Sequence, residues 1–495
     1  MDTVLDRIKL KFEDESGVSG VNGVSLPLYH RIYLRLKEII SGSEIPVGSV
    51  MPPSRMLAKA LGVSRSTIIK AYDLLKVEGF IESTQGSGIR VKRLLEPFQQ
   101  LKAKKEFDYP KLSDLGESFV KNIHLINSTD DKSVAFRPGL PPLDIFPVNQ
   151  WKNLSNLYWR YIKTSALSYS PSSGIDQLKK NIANYLNLSR NIKCDASQII
   201  IVSGSLQSLY LVGNVLLNPG DTVAMENPTF PNVYSIFKGL RANIHGFPVD
   251  EAGAEVSALE SAEMRDAKLV HVTPSCHYPT GVRMSMERRQ ALVDWASHNK
   301  TFIIENDYEH EIHNYKDSLP SVFSLDKEER TIYLSTFNRL MHPSIRIGYM
   351  VLPPFLVSPV DALLRHSHRF VPPVTQVVLN SFIENKYLYK HVKKVIEVAE
   401  ERKEIFTSVF ENYFSNEMPL HPGSVRSLHL LAHLNNSEQE NRVIAKLASR
   451  NIVAHAYSKC FVNSERQSGL IFGYASVRSP VIRKKIEEMA MVLKK

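Results

Sequence analysis

From about Phe136 onward, apolar runs too short for helices alternate with helical stretches, and this alternation constrains the fold more than any other feature. Residues 199–202 (Ile-Ile-Ile-Val), 268–273 and 301–304 read as strands, apolar enough to be covered on both faces. Strands of that kind separated by helices imply an α/β domain. Each run ends in a polar segment: Gly204-Ser205 before a helix over 206–217, then 274–281, then 305–309. Ligands of such sheets sit at the carboxyl ends of the strands, so these three segments are expected to converge on one site. The small-residue turn at 204–205, feeding a helix N-terminus, has the form of a phosphate cradle.

A chain of 495 residues exceeds one ordinary core, and its N-terminal part follows a different pattern. Tyr29, Ile32, Tyr33, Leu36, Ile39 and Ile40 form one helical stripe, closed by Gly42 and Pro46. Ser54 is expected to cap a second helix that turns Leu57, Ala58 and Leu61 inward. Gly62 makes a turn, and Ser64 caps a third helix with Ile68, Ala71, Tyr72 and Leu75 inside. Residues 80–84 and 89–91 read as a hairpin around Gln85-Gly86-Ser87-Gly88. Two short helices about a glycine turn, followed by a hairpin, predict a winged helix-turn-helix over residues 26–92. From 26 to 105 there are 14 lysines and arginines against 6 aspartates and glutamates, a net +8 of the whole chain's +10. A basic head of this kind suits double-stranded DNA, because neutralising phosphates releases condensed counterions. Arg65, Ser66, Thr67 and Lys70 lie at the helix end that would enter the major groove.

Residues 93–133 read as a linker with a short helix near 116–125, and 134–495 as the large domain. No apolar run is long enough to span a bilayer and no signal core opens the chain, which predicts a cytoplasmic, nucleoid-associated protein without a membrane partner. Cys194, Cys276 and Cys460 have neither metal-ligand nor disulfide spacing.

Leu26-Pro27-Leu28-Tyr29, Met51-Pro52-Pro53-Ser54-Arg55, residues 61–67 and Glu78-Gly79-Phe80-Ile81 resemble the winged helix of the GntR family. That resemblance implies DNA contacts from Arg55, Arg65 and Gly86. The large domain resembles the fold-type-I, pyridoxal-phosphate-dependent aminotransferases, and most of all the effector domain of MocR-type regulators, a GntR subgroup. Phe136-Arg137-Pro138-Gly139, Tyr169-Ser170-Pro171, Glu226-Asn227-Pro228-Thr229-Phe230, Tyr278-Pro279-Thr280-Gly281, residues 305–309 and residues 335–349 carry it. The resemblance implies that Ser205 and Leu206 offer backbone N–H groups to the cofactor phosphate, with Thr336 and Arg346 also holding it. Phe230 would stack on the ring, and Tyr308 would meet the ring oxygen.

Two residues depart from that family. Its Thr-Phe-Ser-Lys segment, whose lysine forms the Schiff base, reads Thr336-Phe337-Asn338-Arg339 here. A guanidinium stays protonated and makes no such bond. Asn306 stands where an aspartate would keep the pyridine nitrogen protonated, and the adjacent Asp307 should point to the other face of its strand. Cys276-His277 also replaces the usual His-Gln. The expectation is a transcription regulator with no catalytic residues. Its large domain dimerises and senses a small anionic effector: pyridoxal phosphate held without a covalent aldimine, or another anion clamped by Arg339 and Arg346. The alternatives are an active aminotransferase fused to a DNA-binding module, and a regulator whose large domain only dimerises.

Overall fold

The computed structural model describes residues 4–8, 27–42, 44–84, 88–92, 110–126, 135–312, 319–422, 427–462 and 466–494. They fall into two compact units, 1–110 and 111–495.

In the first unit, α1 (Leu28–Ser41), α2 (Ser54–Ala60) and α3 (Arg65–Val77) precede a hairpin of β1 (Ile81–Thr84) and β2 (Gly88–Val91). The α1 stripe buries Ile32, Tyr33, Leu36, Ile39 and Ile40, while Tyr29 is only half-buried. Those side chains pack on Leu57 and Ala58 of α2 and on Ile68, Ala71, Tyr72 and Leu75 of α3. The turn between α2 and α3 needs Gly62, whose φ is +62°. Ser64 caps α3 by accepting from the Thr67 amide at 3.2 Å, a contact worth about 1 kcal/mol. The expected cap at Ser54 is not formed. Pro53 holds that position, and Ser54 is the first helical residue.

The larger unit begins at Lys111, ahead of residue 134. A helix within the stretch read as linker, α4 (Asp114–Asn122), packs against α8 (Pro231–Gly239). Ser118 donates to the Lys238 carbonyl at 3.1 Å, and Phe119 lies so close to Gly239 that a Cβ there would collide with its ring. The unit continues through α5 (Val148–Tyr161), α6 (Asp176–Arg190), β3 (Ile199–Val202), α7 (Ser205–Leu216) and β4 (Thr222–Asn227). After α8 come β5 (Asn243–Asp250), β6 (Gly253–Ala254), β7 (Leu269–Val272), α9 (Met286–Asn299), β8 (Phe302–Asn306), β9 (Thr331–Thr336) and β10 (Gly348–Val351). These strands form one eight-stranded sheet in the order β3-β10-β9-β8-β7-β4-β5-β6.

β5, β4, β7, β8 and β9 run parallel, and β10 is antiparallel to both its neighbours. β3 therefore points the same way as β9. Every residue of β3, β7, β9 and β10 is buried, as befits a sheet covered on both faces. Beyond it, the long helix α10 (Tyr387–Phe414) leads to a smaller antiparallel sheet of β11 (Leu430–Leu434), β12 (His455–Ala456) and β13 (Ser468–Phe472), ordered β11-β13-β12. No helix among the described residues is long and apolar enough to cross a membrane.

Candidate functional site

Two surfaces carry the chemistry, one on each unit. On the first, Arg65 opens α3, and Arg55, Arg65, Ser66 and Lys70 are exposed while Thr67 is half-buried. The Ser66 and Thr67 hydroxyls each lie 2.8 Å from Ser64 Oγ, so both are drawn into the cap. Arg65 Nε reaches Ser54 Oγ at 3.4 Å, and Lys70 Nζ sits 5.6 Å from the centre of the Tyr29 ring. Gly86 lies outside the described residues. Ile69 and Met56 are exposed on the same two helices. The sequence reading did not count them as interface residues, although Ile69 already stood outside the α3 apolar stripe.

On the larger unit, the ends of β3, β4, β7, β8 and β9 surround a cavity of about 210 Å³. Ser205, Leu206, Phe230, Asn306, Tyr308, Thr336, Arg339 and Arg346 all line it, so the structure brings together the eight residues singled out on the larger domain. Thr273, Tyr278 and Asn338 line it as well. Each stood inside a motif read for another reason: a strand end, the Tyr-Pro-Thr-Gly stretch and the Thr-Phe-Asn-Arg stretch.

At one end α7 begins, its first amides free of intrahelical partners. Gly204 precedes it with φ +146°, and Gly348 of β10 packs against it so tightly that a Cβ there would meet Gly204 Cα at 3.0 Å. Asn338 ties this turn down: its amide donates to the Ser203 carbonyl, and its oxygen accepts from the Ile347 amide, each at 3.2 Å. Arg346, in a left-handed conformation, donates to Ser203 Oγ at 3.3 Å, and no carboxylate among the described residues pairs with it. The Thr336 hydroxyl donates to the Ile347 carbonyl at 3.2 Å. Phe230 and Tyr278 meet edge to face with centroids 4.8 Å apart. The Tyr308 hydroxyl donates to the Cys276 carbonyl at 2.9 Å.

The other end carries Arg339. Its guanidinium lies 3.6 Å from Glu309 Oε1 and 5.1 Å from the centre of the Tyr308 ring. It also closes on Gly139, where a Cβ would come within 2.0 Å of it. This corrects the expected anion clamp. Arg339 and Arg346 are not two cations awaiting a shared anion, because Arg339 already has the buried Glu309 as counterion. Burial raises the Glu309 carboxyl, and Arg339 works against that rise.

Asp307 does point to the opposite face of β8. There Arg190 Nε lies 2.8 Å from it, and the Tyr333 hydroxyl donates to it at 2.9 Å. Burial alone would raise this carboxyl, but Arg190 and His310 outweigh that and hold it below the usual carboxylate range. Asn306 thus lines the cavity, while the acids on either side of it, Glu305 and Asp307, are turned to the other face of the strand. Its Nδ2 lies 3.3 Å from His271 Nε2, and its Oδ1 has no partner. His271 is a further residue the sequence reading passed over: it lies inside a buried strand, and its partner is on the neighbouring one.

These features match what the comparisons with known proteins find. Residues 144–465 match aminotransferase class I and II. The chain belongs to that family. Residues 28–91 match the gntR family of bacterial regulatory proteins. The probable rhizopine catabolism regulatory protein MocR of Rhizobium meliloti is 28% identical over 467 residues, covering 94% of this chain and 93% of that one. The HTH-type pyridoxine biosynthesis transcriptional regulator PdxR of Corynebacterium glutamicum is 26% identical, covering 92% and 94%. An archaeal alanine:glyoxylate aminotransferase superposes with a TM-score of 0.68 at 23% identity, over 78% of this chain and 96% of its own, which shows the fold. The chain is a GntR-type, DNA-binding, MocR-like transcription regulator fused to an aminotransferase-like domain.

Proposed function

We propose that this regulator reads DNA through α3 and that its aminotransferase-like domain is a non-catalytic sensor of a small phosphorylated effector. One observation carries the reading. The cavity keeps a phosphate cradle and a ring-sized aromatic wall, yet among the described residues no lysine lines it, and Arg339 occupies the nucleophile's place in an ion pair with Glu309. A volume of about 210 Å³ lies below the roughly 300–1,000 Å³ of sites for drug-sized ligands, which favours one substituted ring with its phosphate.

Pyridoxal phosphate fits these residues as a ligand. The Ser205 and Leu206 amides, Thr336 and Arg346 would hold its phosphate, Phe230 would lie against the ring, and Asn306 would face the ring nitrogen. When bound to a lysine this group supplies an electron sink for amine chemistry; here the chain's own residues bind and orient it without a nucleophile. The name of the PdxR relative, a pyridoxine biosynthesis regulator, supports the same ligand class.

On the DNA side, Arg65 suits guanine, Lys70, Arg55 and Gly86 suit the backbone, and Ile69 offers an apolar contact for a thymine methyl. The apolar residues Trp159, Tyr161, Leu167 and Tyr169 are exposed, and a second copy of the chain is the partner that would cover them. The test is thermal melting and promoter binding of the full-length protein with and without pyridoxal phosphate. A stabilised protein with altered promoter affinity supports the sensor. An unchanged melting temperature at millimolar ligand refutes it in favour of a dimerisation-only domain.

A further inference from the structure

The end of the cavity away from the phosphate cradle is closed by an ion pair of which only one member is accessible. Arg339 lines the cavity with its side chain 18% exposed, whereas Glu309 is fully buried and forms no part of the wall. The guanidinium carbon lies 5.1 Å from the centre of the Tyr308 ring, which also lines the cavity, so the charged head itself reaches the site. A guanidinium carries five N–H donors. At 3.6 Å, Glu309 attracts Arg339 by charge but lies beyond hydrogen-bond range. Among the described residues the other polar contact of Arg339 is the face of the Tyr308 ring, so its N–H groups have no oxygen acceptor.

The donors around it are already used. The Tyr308 hydroxyl gives its proton to the Cys276 carbonyl, and the Asn338 amide gives one to the Ser203 carbonyl. No carboxylate lines the cavity among the described residues. The Arg339–Glu309 pair therefore acts as a dipole: it has no net charge, its positive head is turned to the cavity, and its negative end is enclosed. An uncharged oxygen, whose lone pairs accept the waiting N–H groups, is complementary to this wall. An ammonium brings more donors to a wall of donors and finds no acid there.

We propose that Arg339 makes this cavity select a ring phosphate whose substituent facing it is an uncharged oxygen, an aldehyde or an alcohol, and reject the corresponding amine. The inference rests on the phosphorylated-effector reading and sharpens it. The family's lysine stands at this place to meet the ring's aldehyde carbon, so the same substituent is what Arg339 would meet. Arg339 is the specificity-determining residue, and Glu309 acts through it as a positioning residue.

The test is isothermal titration of the full-length protein at neutral pH with inorganic phosphate and three ring phosphates that differ at one carbon. These are the aldehyde pyridoxal 5′-phosphate, the alcohol pyridoxine 5′-phosphate and the amine pyridoxamine 5′-phosphate. A primary amine with a pKa of about 10 is protonated at that pH, and the alcohol forms no covalent adduct, so the alcohol–amine comparison isolates recognition. The wild type should bind the aldehyde and the alcohol about tenfold or more tighter than the amine, the size of one unpaired donor. Replacing both members of the pair by neutral amides, Arg339→Gln with Glu309→Gln, strands no charge. It should narrow that gap while inorganic phosphate binding stays intact, which a merely structural role would not do. A wild type that binds the amine as tightly as the alcohol overturns the inference and leaves the effector reading standing, whether or not the double variant folds. A gap as wide in the double variant as in the wild type also overturns it, since Arg339 would not be its source. If none of the three ring phosphates binds, the effector reading falls and takes the inference with it.

Discussion

Removing Arg339 should expose the charge it neutralises. Glu309 is fully buried and Arg339 is about one-fifth exposed, with 3.6 Å between them. At an effective dielectric of about 20, two unit charges at this range attract by about 4 kcal/mol. Breaking a buried pair by deleting one partner costs about 3–5 kcal/mol, because the survivor is left uncompensated. The partial exposure of Arg339 and the amide that Leu428 donates to Glu309 at 3.2 Å argue for the low end. Arg339→Ala should therefore cost about 3 kcal/mol at pH 8. Unfolding entropy of roughly 2.1 cal/mol/K per residue over the roughly 385 residues of the larger unit turns that into a drop of about 4 °C in melting temperature.

The loss should depend on pH. Burial raises the Glu309 carboxyl in the folded protein, and removing Arg339 raises it further. A group with a raised folded-state pKa penalises the folded state above that pKa, and the penalty fades as pH falls through it. Arg339→Ala should thus be most destabilised in alkaline buffer and recover part of its deficit in mildly acidic buffer. Glu309→Gln in the Arg339→Ala background removes the stranded charge and should restore most of the stability at pH 8. Differential scanning calorimetry of wild type, both single variants and the double variant at two pH values closes the cycle. If Arg339→Ala melts with the wild type at pH 8, or if Glu309→Gln gives no relief, the ion pair is not what holds Arg339.

Arg65→Ala should weaken binding to the cognate promoter by about 1–3 kcal/mol and relax base preference; equal binding across a salt titration would remove α3 from the interface. After incubation with pyridoxal phosphate and borohydride, mass spectrometry should find no stoichiometric phosphopyridoxyl adduct on the wild type and a slowly formed one on Arg339→Lys; an adduct on a wild-type lysine would show that covalent binding survives. Analytical ultracentrifugation at micromolar concentration should give a dimer, and Trp159→Ala with Tyr161→Ala should shift it toward monomer; a monomeric wild type would refute the second-copy assignment.

Local periodicity made much of this protein legible, and the limits of legibility have a physical pattern. The α1 and α3 stripes, the Ser64 cap and the Gly62 turn each depend on residues within a few positions of one another, so the winged helix could be read nearly residue by residue. Ser54 misled because a serine before a helix has two roles, cap or first residue, and the extended Pro53 decided between them. On the sheet, the alternation of side chains along an extended strand was enough to send Asp307 away from Asn306. The partner of Arg339 was not accessible in that way. Glu309 is three residues beyond the end of β8, where alternation no longer holds, and its carboxylate is placed by an amide from Leu428, 119 residues further on. His271 was hidden for a related reason: a polar residue inside a buried strand shows its purpose only when the neighbouring strand and its register are known. The two replacements at 306 and 339 therefore differ in kind. Asn306 acquires a neutral neighbour in His271, while Arg339 acquires an acid and is neutralised, so the charge available to an anionic ligand should reside with Arg346 at the phosphate end rather than at the position where chemistry would occur.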